Sequence, residues 1–177
     1  MPDAIVDTCC FINLYATGDL RGFLKASESS WHIPSAVLAE SLFIRKLGDE
    51  QTEKREPIET EAHIDAGLLA LVELQAGQET DLYVQLAGDL DDGEAMALAI
   101  AKQRGWTLAT DDRKAKRFAA NLDVPVVTTP ELIREWAEKE RLSSSAVKAL
   151  LHNIETQARF LPATDSPDYD WWMAHMG

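Results

Sequence analysis

The sequence of 177 residues contains few of the residue types that disulfide scaffolds, zinc sites and membrane spans require. Its two cysteines, Cys9 and Cys10, are adjacent, so they cannot form an ordinary disulfide with each other and have no spaced partners for a zinc site. The four histidines are scattered and show no HxxxH or HxH spacing. No apolar run approaches the roughly 20 residues that a membrane helix needs. We therefore expect reduced cysteines, no cysteine or histidine metal centre and no membrane span.

Basic residues are also scarce, with 17 Lys and Arg against 30 Asp and Glu and a net charge of −13. Such a charge argues against a protein that coats nucleic acid through a global positive field, but it is compatible with local contact. Six of the basic residues lie between Lys102 and Arg117, and two aspartates directly precede Arg113, Lys114, Lys116 and Arg117. This basic segment is either a solvated helix face or a patch that steers phosphate groups.

Several catalytic motifs are missing. The sequence has no GxGxxG, GxxxxGK[ST] or GxSxG, so dinucleotide binding, P-loop chemistry and the α/β-hydrolase nucleophile lack support. Asp7 lacks the second Asp, two residues on, that an aspartyl-phosphate phosphatase uses. The composition, 46% hydrophobic and 27% charged, and the length fit one globular domain. No basic region precedes an apolar stretch at the N-terminus, so we expect a cytoplasmic protein.

Strand-like and helix-like segments alternate along the chain. Short apolar runs predict strands at residues 4–6, 31–33, 68–74, 106–110 and 124–127, and the spacing of apolar residues between them predicts helices. This alternation favours an α/β fold, a three-layer α/β/α sandwich with a central, mainly parallel sheet.

Local features refine this picture. Residues 34–43 predict one helix, whose apolar stripe includes Val37 and Phe43 and leaves Glu40 off its centre. Residues 48–56 are polar and predict a mobile loop or a hairpin insertion. Pro125 places the last strand at a sheet edge.

The composition changes after residue 141. Three serines, at positions 143–145, can cap a helix that continues to about Arg159, and we expect residues 160–177 to be irregular. Trp171 and Trp172 are expected to pack this tail onto the same domain. We therefore assign residues 1–140 to the main domain and residues 141–177 to a C-terminal helical extension.

Five carboxylates stand where strand-like pattern changes to helix-like pattern; they are Asp7, Glu40, Glu94, Asp111 and Asp112. Ligands of open α/β sheets bind outside the carboxyl ends of the strands, where these acids can converge. Converging acids form a negative pocket that requires a cation. Carboxylates without Cys or His partners favour Mg²⁺ or Mn²⁺ over zinc, and such a cation can activate water and orient a phosphodiester.

Four segments carry a resemblance to a known family. Residues 5–8 (IVDT), 34–40 (PSAVLAE), 90–95 (LDDGEA) and 108–113 (LATDDR) occur in the order and spacing of the PIN-domain family, and the match covers about residues 4–127. The chain resembles the small Mg²⁺- or Mn²⁺-dependent ribonucleases of that family, including VapC-type toxins of toxin–antitoxin pairs. The third acidic position, commonly Asp in the toxins, is Glu94, which is similar to a branch with a GE pair.

The resemblance implies roles for the acids. Catalysis and metal binding fall to Asp7, Glu40, Glu94 and the pair Asp111 and Asp112. Which member of that pair points inward stays open, because a shift of one residue at a strand end turns a side chain to the other face. The resemblance also implies an RNA substrate, a small antitoxin partner and a homodimer.

The remaining expectations concern supporting residues and alternatives. Thr8 and Thr110 either hold the acids by hydrogen bonds or cap their own helices. The basic helix that includes Arg113 and Arg117 is expected to position RNA. One alternative is a non-catalytic protein that binds RNA, metal or an antitoxin. Another is a receiver-like phosphotransfer domain, although the Lys expected at a late strand end is missing.

Overall fold

The computed structural model describes residues 2–40, 42–47 and 53–177, and its centre is a five-stranded sheet. The strands in chain order are β1 (Asp3–Val6), β2 (Ser30–Pro34), β3 (Phe43–Leu47), β4 (Glu53–Pro57), β5 (Ala70–Val72), β6 (Thr107–Ala109) and β7 (Val126–Val127). The central sheet has the order β5-β2-β1-β6-β7, and each neighbouring pair is parallel. β3 and β4 form a separate antiparallel hairpin.

Helices connect the strands. In the described part of the chain they are α1 (Thr8–Ala16), α2 (Leu20–Ala26), α3 (Ser35–Ala39), α4 (Glu61–Asp65), α5 (Gln78–Leu86), α6 (Asp92–Arg104), α7 (Arg113–Asn121), α8 (Thr129–Lys139), α9 (Ser144–Asn153), a π-helix (Ile154–Ala158) and α10 (Tyr169–Met176).

These helices cover both faces of the sheet and bury a hydrophobic core on each. On one face, Val6 belongs to the cluster that contains Phe11, Trp136 and Trp172, contributed by α1, α8 and α10. On the other face, Ile5 belongs to the cluster built from α6 and α7. Because successive residues of a strand point to opposite faces, β1 serves both cores. The three-layer α/β/α sandwich with a mainly parallel sheet is confirmed.

The strand order reverses between β1 and β6. The chain first builds outward from β1 through β2 to β5, and then adds β6 and β7 on the other side of β1. Ligands of open α/β sheets bind outside the carboxyl ends of the strands at such a reversal. Asp7 follows β1 and Thr110 follows β6, and the Asp7 amide donates to the Ala109 carbonyl at 3.0 Å. The fold therefore brings these two segments to one crevice.

Helix α6 is buried on all sides over residues 93–101. Its alternating alanines, which include Ala95 and Ala97, leave room for the sheet and for α3, α5 and α7 to approach closely. Gly105 ends the helix in the left-handed conformation with φ +69°, which glycine adopts at little cost. This close packing fixes the start of α6, where Glu94 lies.

The structure corrects the helix expected over residues 34–43. α3 ends at Ala39, Glu40 has an extended backbone with φ −71° and ψ 126°, and Phe43 already begins β3. The apolar residues of this stretch pack in two different elements, so their helical spacing misled the interpretation. Of the expected loop or hairpin insertion at 48–56, residues 53–56 lie in β4 and residues 48–52 lie outside the described residues.

The C-terminal segment is more regular than expected. Ser143 caps α9 by accepting from the Ala146 amide at 3.2 Å. The expectation of an irregular tail is wrong for Tyr169–Met176, which form α10. Trp172 is fully buried in the core and meets the Phe160 ring edge-on at 5.7 Å between centroids. Burial of this large aromatic side chain stabilises a helix that the sequence pattern alone does not indicate.

Within residues 2–40, 42–47 and 53–177, no helix combines the length and the apolar character that crossing a membrane requires.

Candidate active site

Asp7 lies at the carboxyl end of the central strand β1 and also caps α1. Its Oδ1 atom accepts a hydrogen bond from the Cys10 amide at 2.8 Å, which satisfies one of the free amides at the helix start. The side chain is fully buried, and its Oδ2 atom has no hydrogen-bond partner in the described part of the chain. A buried carboxylate oxygen without a partner is unfavourable unless a cation or a proton satisfies it.

The surroundings of Asp7 favour its neutral form in the absence of a cation. Burial raises the pKa of Asp7 to about 8, and the nearby charges of Asp111 and Glu94 act in the same direction. The Thr110 hydroxyl and the Cys10 amide partly oppose this rise. The Thr110 hydroxyl nevertheless leaves Oδ2 without a well-formed hydrogen bond. A positively charged ligand would therefore stabilise the ionised form of Asp7.

Asp111 is fixed by residues from two other elements. Asn13 of α1 donates to Asp111 Oδ2 at 2.9 Å, and the Thr129 amide at the start of α8 donates to Oδ1 at 3.0 Å. The Thr129 hydroxyl also donates to Oδ2. Burial raises the pKa of Asp111, whereas these donors and the charge of Lys116 lower it. The hydrogen bonds therefore offset part of the cost of keeping a buried carboxylate charged.

Asp112 has a different environment from Asp111. Its Oδ1 atom caps α7 by accepting from the amides of Lys114 and Ala115 at 2.7 and 2.8 Å. The negative charge of Asp112 also acts on Glu94 and contributes to the raised pKa of the Glu94 carboxyl. The charge of Asp111 thus acts on Asp7, and the charge of Asp112 acts on Glu94.

Glu94 and Glu40 meet at the start of α6. Burial raises the pKa of Glu94 to about 7, and the charges of Asp112, Asp91 and Glu40 add to this rise. Glu40 Oε1 accepts from the Gly93 amide at 3.2 Å. A Cβ atom at Gly93 would lie 2.7 Å from Glu40 Oε1 and closer still to the Thr8 hydroxyl. Only glycine lets Glu40 and Thr8 approach α6 this closely.

Thr8 and Thr110 both lie inside the crevice. The Thr8 hydroxyl is buried and has no hydrogen-bond partner among the described residues. The Thr110 hydroxyl accepts from the Asp112 amide at 3.1 Å and also favours the charged form of Asp7. The hydrogen bond that the structure shows for the Thr110 hydroxyl is thus the local one with the Asp112 amide, and the support of Asp7 by Thr110 stays a prediction.

Cys9 provides independent evidence that the acids converge. The residue is accessible to solvent, but its sulfur is largely surrounded by protein atoms. Desolvation of the sulfur raises the pKa of the Cys9 thiol to about 12, and the charges of four acids add to the rise: Asp7, Glu94, Asp111 and Asp112. One thiol in the first turn of α1 is thus influenced by acids from three separate segments of the chain.

The four basic residues of α7 divide into two pairs. Arg113 and Lys116 line a cavity of about 600 Å³ that opens beside Asp111. Lys114 instead donates to the Asp89 carbonyl and lies 3.4 Å from the Asp89 carboxylate, and Arg117 is exposed to solvent. Only the first pair is next to the acids.

The chemistry of this site fits a hard divalent cation. The five acids and the two threonines provide carboxylate and hydroxyl oxygens, and Asp7 Oδ2 is a buried oxygen that a cation would satisfy. No three His, Cys, Asp or Glu side chains in the described ranges are arranged so that they could hold a metal ion as they stand. Ion binding would therefore require the acids to rotate toward one another, which neutralisation of their mutual repulsion would favour.

Asn13 and Thr129 are supporting residues that the sequence analysis missed. Asn13 is 4% exposed and interrupts the apolar residues of α1, between Ile12 and Leu14. A polar side chain at a buried helix position requires a partner, so this interruption was the available signal. Thr129 gave no such signal, because Thr before Pro at a helix start is a common local pattern.

Comparisons with known proteins agree with this geometry. Residues 3–165 match a family model for the PIN domain, a range that includes α9 and part of the following tail. PIN domains are generally metal-dependent nucleases. A comparison with curated proteins gives no match. Because the family model covers most of the sequence and the sheet is mainly parallel between helical layers, this chain belongs to the PIN-domain family.

Proposed function

We propose that this protein is a metal-dependent endoribonuclease that hydrolyses RNA phosphodiester bonds. The observation that carries the proposal is the group of acids at the strand-order reversal, in which Asp7 keeps a fully buried Oδ2 atom without a partner. Structural stability alone does not account for several buried or partly buried carboxylates that raise one another's pKa. A site that binds a cation and acts on a phosphodiester does account for them.

The proposed metal ligands are Asp7, Glu40, Glu94, Asp111 and Asp112, and the proposed ion is Mg²⁺ or Mn²⁺. A bound divalent cation would supply the Lewis acidity that activates water and stabilises negative charge on the phosphate. The protein contributes orientation. The Cys10 amide fixes Asp7 and the Gly93 amide fixes Glu40, while hydrogen bonds from Asn13 and Thr129 orient Asp111 and oppose part of the rise in its pKa.

Local charge supports a substrate that carries phosphate groups, as RNA does. Arg113 and Lys116 face the cavity beside Asp111, so they can hold a phosphate next to the acids despite the net charge of −13. The overall charge repels polyanions at long range, and binding then depends on short-range contacts and on the cation. We therefore expect weak nonspecific affinity with a shallow salt dependence, because only two cations contact phosphate and salt also screens the long-range repulsion.

The direct test is RNA cleavage by the purified protein in Mg²⁺, Mn²⁺ or EDTA. We expect cleavage with either metal, none in EDTA, and a loss of at least about 100-fold for Asp7→Asn. Asp170→Asn is the matched control, because Asp170 is exposed on α10 and undergoes the same chemical change. Equal activity of Asp7→Asn and the wild-type protein would remove the proposal.

We further propose that the protein acts as the toxin of a toxin–antitoxin pair, with a small antitoxin as partner. Expression in a bacterial host should then arrest growth, and Asp7→Asn should relieve the arrest. A small gene for a DNA-binding protein directly upstream would supply the partner, and co-expression of that protein should restore growth. A homodimer is also proposed, and light scattering of the purified protein tests it.

The strongly negative charge favours one second candidate, a non-catalytic protein that binds RNA, metal or an antitoxin. The cleavage assay separates the two. Metal-dependent RNA binding without any cleavage products, and with no effect of Asp7→Asn on growth, would support the binding protein.

A further inference from the structure

Another cavity, which we call the hairpin cavity, lies between the β3–β4 hairpin and the helices α1, α2 and α4. Its volume is about 330 Å³. Four of the side chains that line it come from four different elements and are a hydroxyl, two permanent cations and an imidazole: Tyr15, Arg21, Lys46 and His63. Groups that can donate hydrogen bonds to an anion therefore surround one concave space.

The hairpin separates this cavity from the acid crevice. Successive residues of a strand point to opposite faces. Lys46 lines the hairpin cavity, whereas its neighbour Arg45 lines a cavity of about 250 Å³ that also contains Glu40. The two cavities adjoin at Gln157 of the π-helix. A ligand in the hairpin cavity would therefore contact β3 from the face that is turned away from Glu40.

Arg21 and His63 lack an anionic partner in this cavity. Within residues 2–40, 42–47 and 53–177, neither side chain forms an ion pair. Burial lowers the pKa of His63, and the charge of Arg21 lowers it further. The Tyr15 hydroxyl accepts from the Glu59 amide at 3.4 Å and keeps its own proton for another acceptor. A negatively charged ligand would satisfy all three groups.

Two acids in the cavity lining are already engaged. Asp19 Oδ1 accepts from the Gly22 amide at 2.9 Å. The Glu56 carboxylate pairs with Lys46 at 2.8 Å, and both side chains are about half exposed. An exposed pair of this kind contributes little stability, so an anion can replace Glu56 as the partner of Lys46. Removing the Glu56 charge should therefore strengthen anion binding.

We propose that the hairpin cavity is a binding site for a phosphate group, which Arg21, Lys46 and His63 hold from three sides. A single arginine can satisfy both oxygens of a carboxylate, whereas a phosphate group presents three acceptor oxygens to donors in different directions. The volume lies in the range of small-molecule sites and leaves room for an organic group beside the phosphate. This inference does not depend on the proposed ribonuclease function.

Proton NMR of the histidine rings can detect binding in this cavity separately from binding elsewhere. The intact protein is titrated in EDTA, so that no metal ion can hold an anion at the acid crevice. The probes are inorganic phosphate and adenosine 5′-monophosphate. We expect a saturable shift of the His63 signals and unchanged signals from the other three histidines. Tighter binding of the nucleotide would assign the site to a phosphate monoester, equal affinities would assign it to free phosphate, and either result supports the site.

Charge variants test which side chains hold the anion. Arg21→Gln and Lys46→Gln should each weaken binding about five- to tenfold, and Glu56→Gln should strengthen it. The matched controls are Arg117→Gln and Lys148→Gln, which remove the same charges from exposed positions on α7 and α9 and should leave the affinity unchanged. Urea unfolding of each variant verifies that a lost affinity does not reflect a lost fold.

Sulfate provides a pH test, because its charge stays constant where that of phosphate changes. An anion favours the protonated form of His63, so sulfate should bind more tightly at about pH 5.5 than at about pH 8. The other ionisable groups that face His63 across the cavity are Tyr15, Asp19, Arg21, Lys46 and Glu56. His63→Gln should remove the pH dependence, whereas His152→Gln, at an exposed position on α9, should retain it.

Three results would each overturn the phosphate site. They are the absence of a saturable His63 shift with both probes, equal affinities of Arg21→Gln and Arg117→Gln, and a pH dependence of sulfate binding that survives His63→Gln. RNA cleavage enters none of these measurements. A failure of the ribonuclease proposal and a failure of the phosphate site are therefore distinguishable.

Discussion

Replacing Asp7 by Asn should stabilise the metal-free protein, although the proposed function requires the same change to reduce cleavage. Asn retains an Oδ1 atom that can accept from the Cys10 amide, so the cap of α1 survives. The change removes a charge that burial and neighbouring acids make unfavourable. The stability gain should therefore depend on pH in a way that an ordinary cap mutation does not.

The sign and size follow from the raised pKa. The pKa of Asp7 is about 8 in the folded protein, whereas 3.8 is the ordinary value for an Asp side chain in water, so between pH 3.8 and pH 8 the folded state holds a proton that the unfolded state releases. Stability of the wild-type protein in EDTA must then fall as pH rises from about 4 to 8. The full shift corresponds to an upper bound of roughly 5 kcal/mol at pH 8 and to roughly 1–2 kcal/mol at pH 5. Rotation of the neighbouring acids away from Asp7 would reduce both values.

The assay is urea unfolding in EDTA at pH 5 and pH 8 for the wild-type protein, Asp7→Asn and the exposed control Asp170→Asn. We expect Asp7→Asn to be the most stable of the three at pH 8 and its advantage to shrink at pH 5. Adding Mg²⁺ should stabilise the wild-type protein more than Asp7→Asn, because only the wild-type protein retains the complete ligand set. If Asp7→Asn is no more stable at pH 8 than the wild-type protein, the account of Asp7 is refuted.

Three further predictions concern the neighbours of Asp7. Gly93→Ala would place a Cβ atom 2.7 Å from Glu40 Oε1, so it should destabilise the fold by about 1–3 kcal/mol and reduce cleavage. The control is Gly88→Ala, whose added Cβ atom would have its nearest neighbour 3.8 Å away. This control should behave like the wild type in the same unfolding and cleavage assays. Alkylation of Cys9 at pH 8 should accelerate when Mg²⁺ or Mn²⁺ is added. The ion neutralises the acids that help to raise the pKa of the thiol to about 12, and a lower pKa increases the fraction of reactive thiolate. An unchanged rate would show that no ion binds beside Cys9. Thr129→Val removes a donor to Asp111 and so raises the pKa of that carboxyl, which should move the acidic limb of the pH–rate profile to higher pH. Thr156→Val loses a hydroxyl that bonds only to backbone carbonyls, so it should leave the profile unchanged.

The sequence pattern was sufficient for the central sheet and for the placement of most acids. Strands such as β1 and β6 are short apolar runs followed by helix starts, and their order in α/β folds puts Asp7 and Asp111 at one sheet edge. Pro125 also pointed correctly to the edge position of β7. These features depend on local composition and on general rules of chain connection.

The remainder depends on contacts that the local pattern does not contain. Glu40 is extended because α3 stops at Ala39 and the Gly93 amide binds its side chain, a contact between residues 53 positions apart. α10 exists because Trp172 reaches the core. The support of Asp111 by Asn13 and Thr129 likewise joins distant elements. Such tertiary contacts override or supplement local propensity.

The strand order has a consequence for synthesis of the protein. β1 emerges first from the ribosome, but its neighbour β6 and the Thr129 support for Asp111 follow more than a hundred residues later. Parallel strands that are far apart in sequence pair late, because a long loop must close first. A nascent polypeptide whose Thr129 has not yet emerged from the ribosome therefore lacks the hydrogen bonds that hold Asp111 in the acid cluster. Any activity of the acid cluster can therefore begin only after most of the chain has been synthesised.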